Sequence, residues 1–198
     1  MIKIMEFTQN LKKYQTRNPL QRLLLKKFFK DLDSLLLPLR GEVKNTLEIG
    51  CGEGFVTKHI HDLGFKIIGA DISDEVLRIA REMFPEIEFL NMDIYELDKF
   101  GKWDLIVCCE VLEHLKEPEK ALKAMMKASN YILISVPNEP FFRIANICRL
   151  KYLKNLGNTP GHINHWSMIS FKKFLKQFDF RETKFKISTL WQFALCRV

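Results

Sequence analysis

Leu47-Glu48-Ile49-Gly50-Cys51-Gly52-Glu53-Gly54-Phe55 decides how this chain folds. Residues 45–49 read as a short buried strand, and three glycines at alternate positions break it. Phe55, Val56, Ile60 and Leu63 then recur at helical spacing. Strand, glycine turn and helix are how a doubly wound sheet presents a nucleotide-like ligand. The glycines let the backbone come close, and the helix N-terminus offers free N–H groups. The spacing is G-x-G-x-G, with Phe55 where a dinucleotide fingerprint needs a third glycine, so NAD is not expected to bind. Glu48, two residues before the first glycine, would repel a pyrophosphate and attract a cationic ligand.

Upstream, residues 1–17 show no period and are expected to form a loosely held arm. From Asn18 a helix is expected, with Pro19 in its first turn and Leu20, Leu23, Leu24, Phe28, Leu32, Leu35 and Leu36 at spacings of three and four. Pro38 and Gly41 end it, and packing on the sheet is its expected role. Downstream of the glycine turn, strands are expected at residues 66–70, 87–92, 103–109 and 131–136. Helices alternate with them: residues 74–83 capped by Ser73, a helix start at 111–115, and residues 121–127. That alternation implies a parallel sheet with right-handed crossovers. Beyond Pro137 the rhythm changes to a basic amphipathic helix at 141–153, a loop at 155–161, a helix at 170–178 and strands at 181–188 and 191–198.

Ligands of an open α/β sheet sit beyond the carboxyl ends of its strands. Those ends carry Glu48 to Gly54, Asp71, Asp93, and Cys109-Glu110. Asp71 is placed to accept from both hydroxyls of a ribose. Asp93 is placed to accept from an adenine amino group, with Ile72 and Ile94 gripping the ring. A single aspartate at a strand end is commonly a helix cap; acids at three consecutive strand ends beside a glycine turn form a stronger pattern.

The same residues carry a family resemblance. Leu47 to Gly54, Gly69-Ala70-Asp71-Ile72-Ser73, Met92-Asp93-Ile94 and Trp103 to Leu115 resemble successive motifs of class I S-adenosylmethionine (SAM) methyltransferases across residues 45–137. The resemblance implies an α/β, doubly wound, Rossmann-like sheet of seven strands, mostly parallel with an antiparallel last strand, and helices on both faces. It implies SAM as cofactor, with Glu48, Gly50, Cys51, Gly52 and Gly54 at the methionine part, Asp71 at the ribose, Asp93 at the adenine edge with Ile72 and Ile94 on the ring, and Cys109 and Glu110 beside them. One domain is expected: a helical cap (1–44), the SAM-binding core (45–137), a lid (138–170) and a C-terminal helix with strands (171–198). Asn18-Pro19-Leu20 is similar to the start of quinone-type enzymes, whose next residue is an arginine for the cofactor carboxylate. Here Gln21 stands there and Arg22 follows, which leaves that carboxylate's partner open.

The acceptor side rests on Glu110-Val111-Leu112-Glu113-His114 and Gly161-His162-Ile163-Asn164-His165-Trp166-Ser167. On a helix, Glu110, Glu113 and His114 would share a face and could hold one divalent ion, with His165 or His162 as a fourth ligand. Without a metal, His114 or His165 would take the acceptor's proton, with Glu113 beside them. The pattern is similar to two branches: ubiquinone-type O-methyltransferases acting on small phenols, and metal-using RNA 3′-terminal ribose 2′-O-methyltransferases. No Asn-Pro-Pro-Tyr follows the fourth strand, which argues against nucleobase amino methylation of that type, and no Pro-Cys nucleophile is present, which argues against cytosine C5 methylation. O-methylation of a small molecule is the expected activity. An RNA methyltransferase, or a non-catalytic SAM-binding partner subunit, is the alternative.

Charge is unevenly spread. Residues 1–44 carry +6, residues 45–140 carry −8 and residues 141–198 carry +9, giving the net +7. The basic flanks are either solvated lysines or a positive rim for an anionic substrate, RNA or a membrane surface. Helix 141–153 is a lid, or a face resting on a membrane or apolar substrate. No apolar run is long enough to span a membrane, and the N-terminus lacks a signal-peptide pattern. The five cysteines (51, 108, 109, 148 and 196) form no C-x-x-C pair, so a reduced, cytoplasmic protein is expected.

Overall fold

The computed structural model describes residues 13–148, Leu156, Thr159 and residues 161–198. Seven strands form one sheet: β1 (Thr46–Ile49), β2 (Ile67–Asp71), β3 (Phe89–Asn91), β4 (Trp103–Cys109), β5 (Ser129–Pro137), β6 (Glu182–Ile187) and β7 (Trp191–Arg197). Their order is β3-β2-β1-β4-β5-β7-β6. β1 to β5 pair in parallel, whereas β7 runs antiparallel to both β5 and β6. The chain steps outward from β1 to β3 and then returns to β4, so the order reverses between β1 and β4. That crevice is where such sheets bind ligands.

β4 lies at the centre because its side chains are apolar on both faces. Leu105, Val107 and Cys109 join one buried cluster; Ile106 and Cys108 join the other. The first cluster is covered by Phe28, Leu32 and Leu36 of α1 (Pro19–Leu36) and by Val56 and Ile60 of α2 (Phe55–Asp62). Phe28 meets Trp191 and Phe193 of β7, each at a ring-centroid distance of 5.2 Å. α3 (Asp74–Met83) packs Leu77 and Ala80 against Cys51 and Phe89. The opposite face is covered by Ala121, Leu122 and Met125 of α4 (Pro118–Ala128) and by Phe171, Phe174 and Leu175 of α6 (Met168–Leu175), with α5 (Phe141–Cys148) between them in sequence. Each fully buried Leu or Phe stabilises the fold by roughly 1.5–3 kcal/mol relative to exposure.

Several expectations are corrected. Ser73 stands at the N-cap of α3, but its side chain makes no cap bond; Asp71 instead accepts from the Ser73 N–H at 3.0 Å. The start expected at 111–115 is a single 3₁₀ turn, Leu112–His114, because Glu110 adopts a left-handed φ of 61° and redirects the chain. Residues 13–17 do not form a loose arm: Tyr14 stacks on Phe55 at 4.7 Å and contacts Phe29. Residues 1–12 lie outside the described residues, as do 149–153 of the helix expected at 141–153 and most of the loop at 155–161.

Gly54 precedes α2 with φ 79°, and a Cβ there would lie 2.7 Å from the Phe89 ring. Gly41 has ordinary φ and open space around it. Gly54→Ala should therefore lose about 2–4 kcal/mol of stability in urea unfolding, from left-handed backbone strain plus overpacking. Gly41→Ala should stay within about 0.5 kcal/mol of the parent.

Candidate active site

Parallel strands β1, β2, β3 and β4 end on one edge, and the site's acids lie at or next to those ends. Glu48 is buried within β1, and the Thr57 hydroxyl of α2 donates to its carboxylate. Burial, reinforced by the nearby Asp71 charge, raises Glu48 from 4.5 to about 8 despite that bond. Gly50, Gly52 and Gly54 all take left-handed φ values (76°, 53° and 79°), which wrap the turn over the end of β1. Asp71 holds that turn: its carboxylate accepts from Gly52 N–H and Ser73 N–H, both at 3.0 Å. Asp93 follows β3 and accepts from Tyr95 N–H at 2.9 Å. Ile72 is largely exposed at the end of β2, whereas Ile94 is buried in the core with Leu97. Cys51 and Cys109 are buried, and burial pushes both thiols up, so neither is a reactive thiolate.

Glu110 points one carboxylate oxygen at Trp191, whose indole Nε1 donates to it at 2.9 Å; the other oxygen is buried with no hydrogen-bond partner. Lys13 approaches the same carboxylate at 3.8 Å. Glu113 is buried, both its carboxylate oxygens are without hydrogen bonds, and burial together with Glu110 holds its carboxyl well above the usual range. His114 is exposed, and its Nδ1 lies 3.0 Å from the Gly161 carbonyl, a geometry in which Nδ1–H donates and Nε2 is left to accept.

A clip joins residues 112–115 to residues 163–164. The Glu113 carbonyl accepts from Ile163 N–H at 2.9 Å and Asn164 N–H at 3.0 Å. The Asn164 amide donates to the carbonyls of Leu112 and Leu115 at 3.0 and 2.6 Å. The clip sets the His162 ring against His114 at a centroid distance of 4.8 Å. Glu113, His114 and His162 each bring a donor atom within 4.8 Å of the others. Burial and then His114 lower His162 to about 4, which keeps its imidazole neutral. Glu110 and His165 do not join this trio among the described residues. Since only one 3₁₀ turn follows Glu110, the shared helical face expected for 110, 113 and 114 does not form. His165 lies beyond His162, at 6.5 Å between rings, with its Nδ1 3.9 Å from Glu139.

Sequence reading missed Lys13, Tyr14, Thr57, Trp191 and Asn164. Thr57 had a weak signal, a hydroxyl on the first turn after the glycines. The others meet the site only through tertiary contacts.

A model of the family described as "Methyltransferase domain" matches residues 20–184. The chain belongs to that family. Its fold is that of class I SAM-dependent methyltransferases. Over 104 residues it is 30% identical to the ubiquinone biosynthesis O-methyltransferase of Shewanella pealeana, a match covering 48% of this chain and 44% of that protein. The chain therefore aligns with less than half the length of that relative. Among solved structures it resembles the magnesium protoporphyrin IX methyltransferase of Synechocystis PCC 6803 with bound SAH, with TM-score 0.65, 19% identity and coverage of 91% and 87% of the two chains. It also resembles the methyltransferase domain of bacterial CtHen1-C, with TM-score 0.66, 19% identity and coverage of 88% and 98%. At these identities the structural likeness shows the fold.

The raised Glu48 predicts a pH dependence. Its carboxyl binds a proton more tightly in the folded than in the unfolded chain, so between about 4.5 and 8 folding takes up a proton and stability falls as pH rises. Ligand-free wild type should lose stability relative to Glu48→Gln as pH is raised from about 5 to about 8.5. Parallel urea titrations of the two proteins measure that difference.

Proposed function

We propose that the protein methylates an oxygen of a small, hydroxylated acceptor, with SAM as donor. SAM supplies an electrophilic methyl group on a sulfonium, which an acceptor oxygen displaces in line. The residues present fit that donor: the three left-handed glycines let backbone come close, and the buried acid Glu48, with no cation beside it among the described residues, suits an ammonium. The unpartnered oxygen of Glu110 adds an acceptor at the end of β4. Glu48 and the turn from Gly50 through Cys51 and Gly52 to Gly54 would hold the methionine part, and Asp71 the ribose hydroxyls. Asp93 would take the adenine amino group. Ile72 is free to cover the ring; Ile94 would support it from the core. Cys109 and Glu110 would bound the reacting end.

The observation that carries the acceptor side is His114, an exposed imidazole fixed by the Gly161 carbonyl beside buried Glu113. Its Nε2 is the base that would take the acceptor's proton, and orienting that nitrogen is the protein's main catalytic task once donor and acceptor are aligned. His165, held near Glu139, would serve as a second positioning group in a lid formed by residues 138–170. No helix among the described residues is long and apolar enough to cross a membrane. Exposed Phe141 and Ile144 on α5 support contact of this lid with an apolar acceptor or a membrane surface. Cys51, Cys108, Cys109 and Cys196 are free, which supports a reducing, cytoplasmic setting.

One observation favours a second reading. The trio of Glu113, His114 and His162 has the donor set of a divalent-ion site, two imidazoles and a carboxylate that lacks other bonds. Such an ion would acidify a bound hydroxyl, and with Lys26, Lys27, Lys30 and Lys186, which line a groove around Asp31, it would suit the 3′-terminal ribose of an RNA.

Methyl transfer to catechols and other phenols, and to short RNAs with free or periodate-oxidised 3′ ends, separates the readings. Small-molecule activity that survives a chelator supports the first. Activity confined to intact RNA ends, lost with chelator and restored by metal, replaces it with the second. Asp71→Asn should weaken SAM binding about ten- to hundredfold in calorimetry, because a charge-assisted bond to a hydroxyl is lost. His114→Ala should lower kcat by about 10²–10⁴-fold with little change in SAM affinity.

A further inference from the structure

We propose that Lys13 is the cationic partner of the SAM carboxylate, an inference that rests on the reading of the site given above. The methionine end of SAM carries an ammonium and a carboxylate on one carbon. Buried Glu48 suits the ammonium, but the surroundings are hostile to a second anion. The acids Glu48, Glu53, Asp71, Glu110 and Glu113 gather around the strand ends, and the ligand's own ammonium favours the ionised form of Glu48 beside it. A ligand carboxylate brought into that field is repelled unless a cation meets it.

Among the described residues, Lys13 is a cation placed there. Its Nζ stands 3.8 Å from Glu110 and lies over the rings of Tyr14, Trp191 and Phe28 at 5.2, 5.5 and 5.9 Å. The next residue fixes its height above the glycine turn. Tyr14 stacks on Phe55, which directly follows Gly54, and burial followed by the charges of Glu110, Glu48 and Glu53 pushes the Tyr14 hydroxyl up. The same ammonium also acts on Glu113, lowering its carboxyl against the effect of burial.

Lys13 is held loosely enough to change partner. Its distance to Glu110 exceeds a hydrogen bond, its side chain is 30% exposed, and cation–π contacts restrain an ammonium without using its N–H donors. A flexible four-carbon stem with three donors can turn from Glu110 to a ligand carboxylate while staying over the rings. The two alternatives on α1 are less well placed: Gln21 is bonded to Thr16, and Arg22 is exposed. Residues 13 and 14 therefore act as the strap that completes the cofactor site from the N-terminal side.

Calorimetry with SAM and with its decarboxylated analogue, which keeps sulfonium and ammonium, tests the assignment. Wild type should prefer SAM. Lys13→Met should weaken SAM binding about ten- to hundredfold and leave the affinity for the analogue within about twofold, so that the preference disappears. Lys13→Arg should restore most of it, and circular dichroism of each variant checks that the fold is retained. Equal losses for both ligands in Lys13→Met would overturn the proposal, since they would make Lys13 a packing residue of the strap. An unchanged SAM affinity would overturn it too. Wild type that binds neither ligand would instead refute the reading of the site on which the proposal stands, and the proposal with it.

Discussion

Carboxylates crowd the carboxyl edge of this sheet, and the rest of the site is arranged around that crowding. Topology causes it: parallel strands on either side of the β1/β4 reversal all end on one edge, and Glu48, Asp71, Glu110 and Glu113 lie at or just beyond those ends. Water cannot neutralise the buried members, so the protein uses three other devices. Thr57 donates to Glu48, two backbone N–H groups clasp Asp71, and Trp191 donates to Glu110. Glu48 and Glu113 are still held protonated well above the ordinary carboxylate range. An edge of this kind selects cationic ligands before any shape is considered.

The clasp at Asp71 shows how the fold and the site share residues. Its carboxylate ties the turn after β1 to the turn after β2, because both oxygens accept from backbone N–H groups. Each oxygen keeps lone pairs for a ligand hydroxyl. Glu110 is the counterpart on β4. A left-handed glutamate is sparsely populated backbone, and here it ends the strand, aims the carboxylate toward Trp191 and Lys13, and is followed by a single 3₁₀ turn that carries His114.

Much of the fold was legible in the sequence because it rests on local pattern. The run at 103–109 is apolar except for Asp104 near its start, and it forms the central strand with the expected bounds. The glycine turn, the acids at the strand ends and the helix begun by Asn18-Pro19 likewise declare themselves by spacing. The acceptor side was less legible. A sequence with no glycine at 110 gives no sign of a left-handed residue there, so a helical face was expected where a tight turn forms. Which histidine meets His114 depends on the Asn164 clip, a pairing across some fifty residues of chain. Lys13 and Tyr14 lie in a stretch without periodicity, and aromatic contacts to Phe55, Phe28 and Trp191 place them.

In the proposed function, Glu48 is a neutral acid until a cationic methionine end binds beside it. A carboxyl at about 8 is roughly nine-tenths protonated at pH 7, and an ammonium beside it favours the ionised form, so binding should expel a proton. SAM titrated into the protein at pH 7, in buffers of different ionisation enthalpy, measures that proton directly. Release of close to one proton is expected, fading as pH is raised past about 9 and absent in Glu48→Gln. Tight binding with no proton released, or the same release from Glu48→Gln, would contradict that role of Glu48.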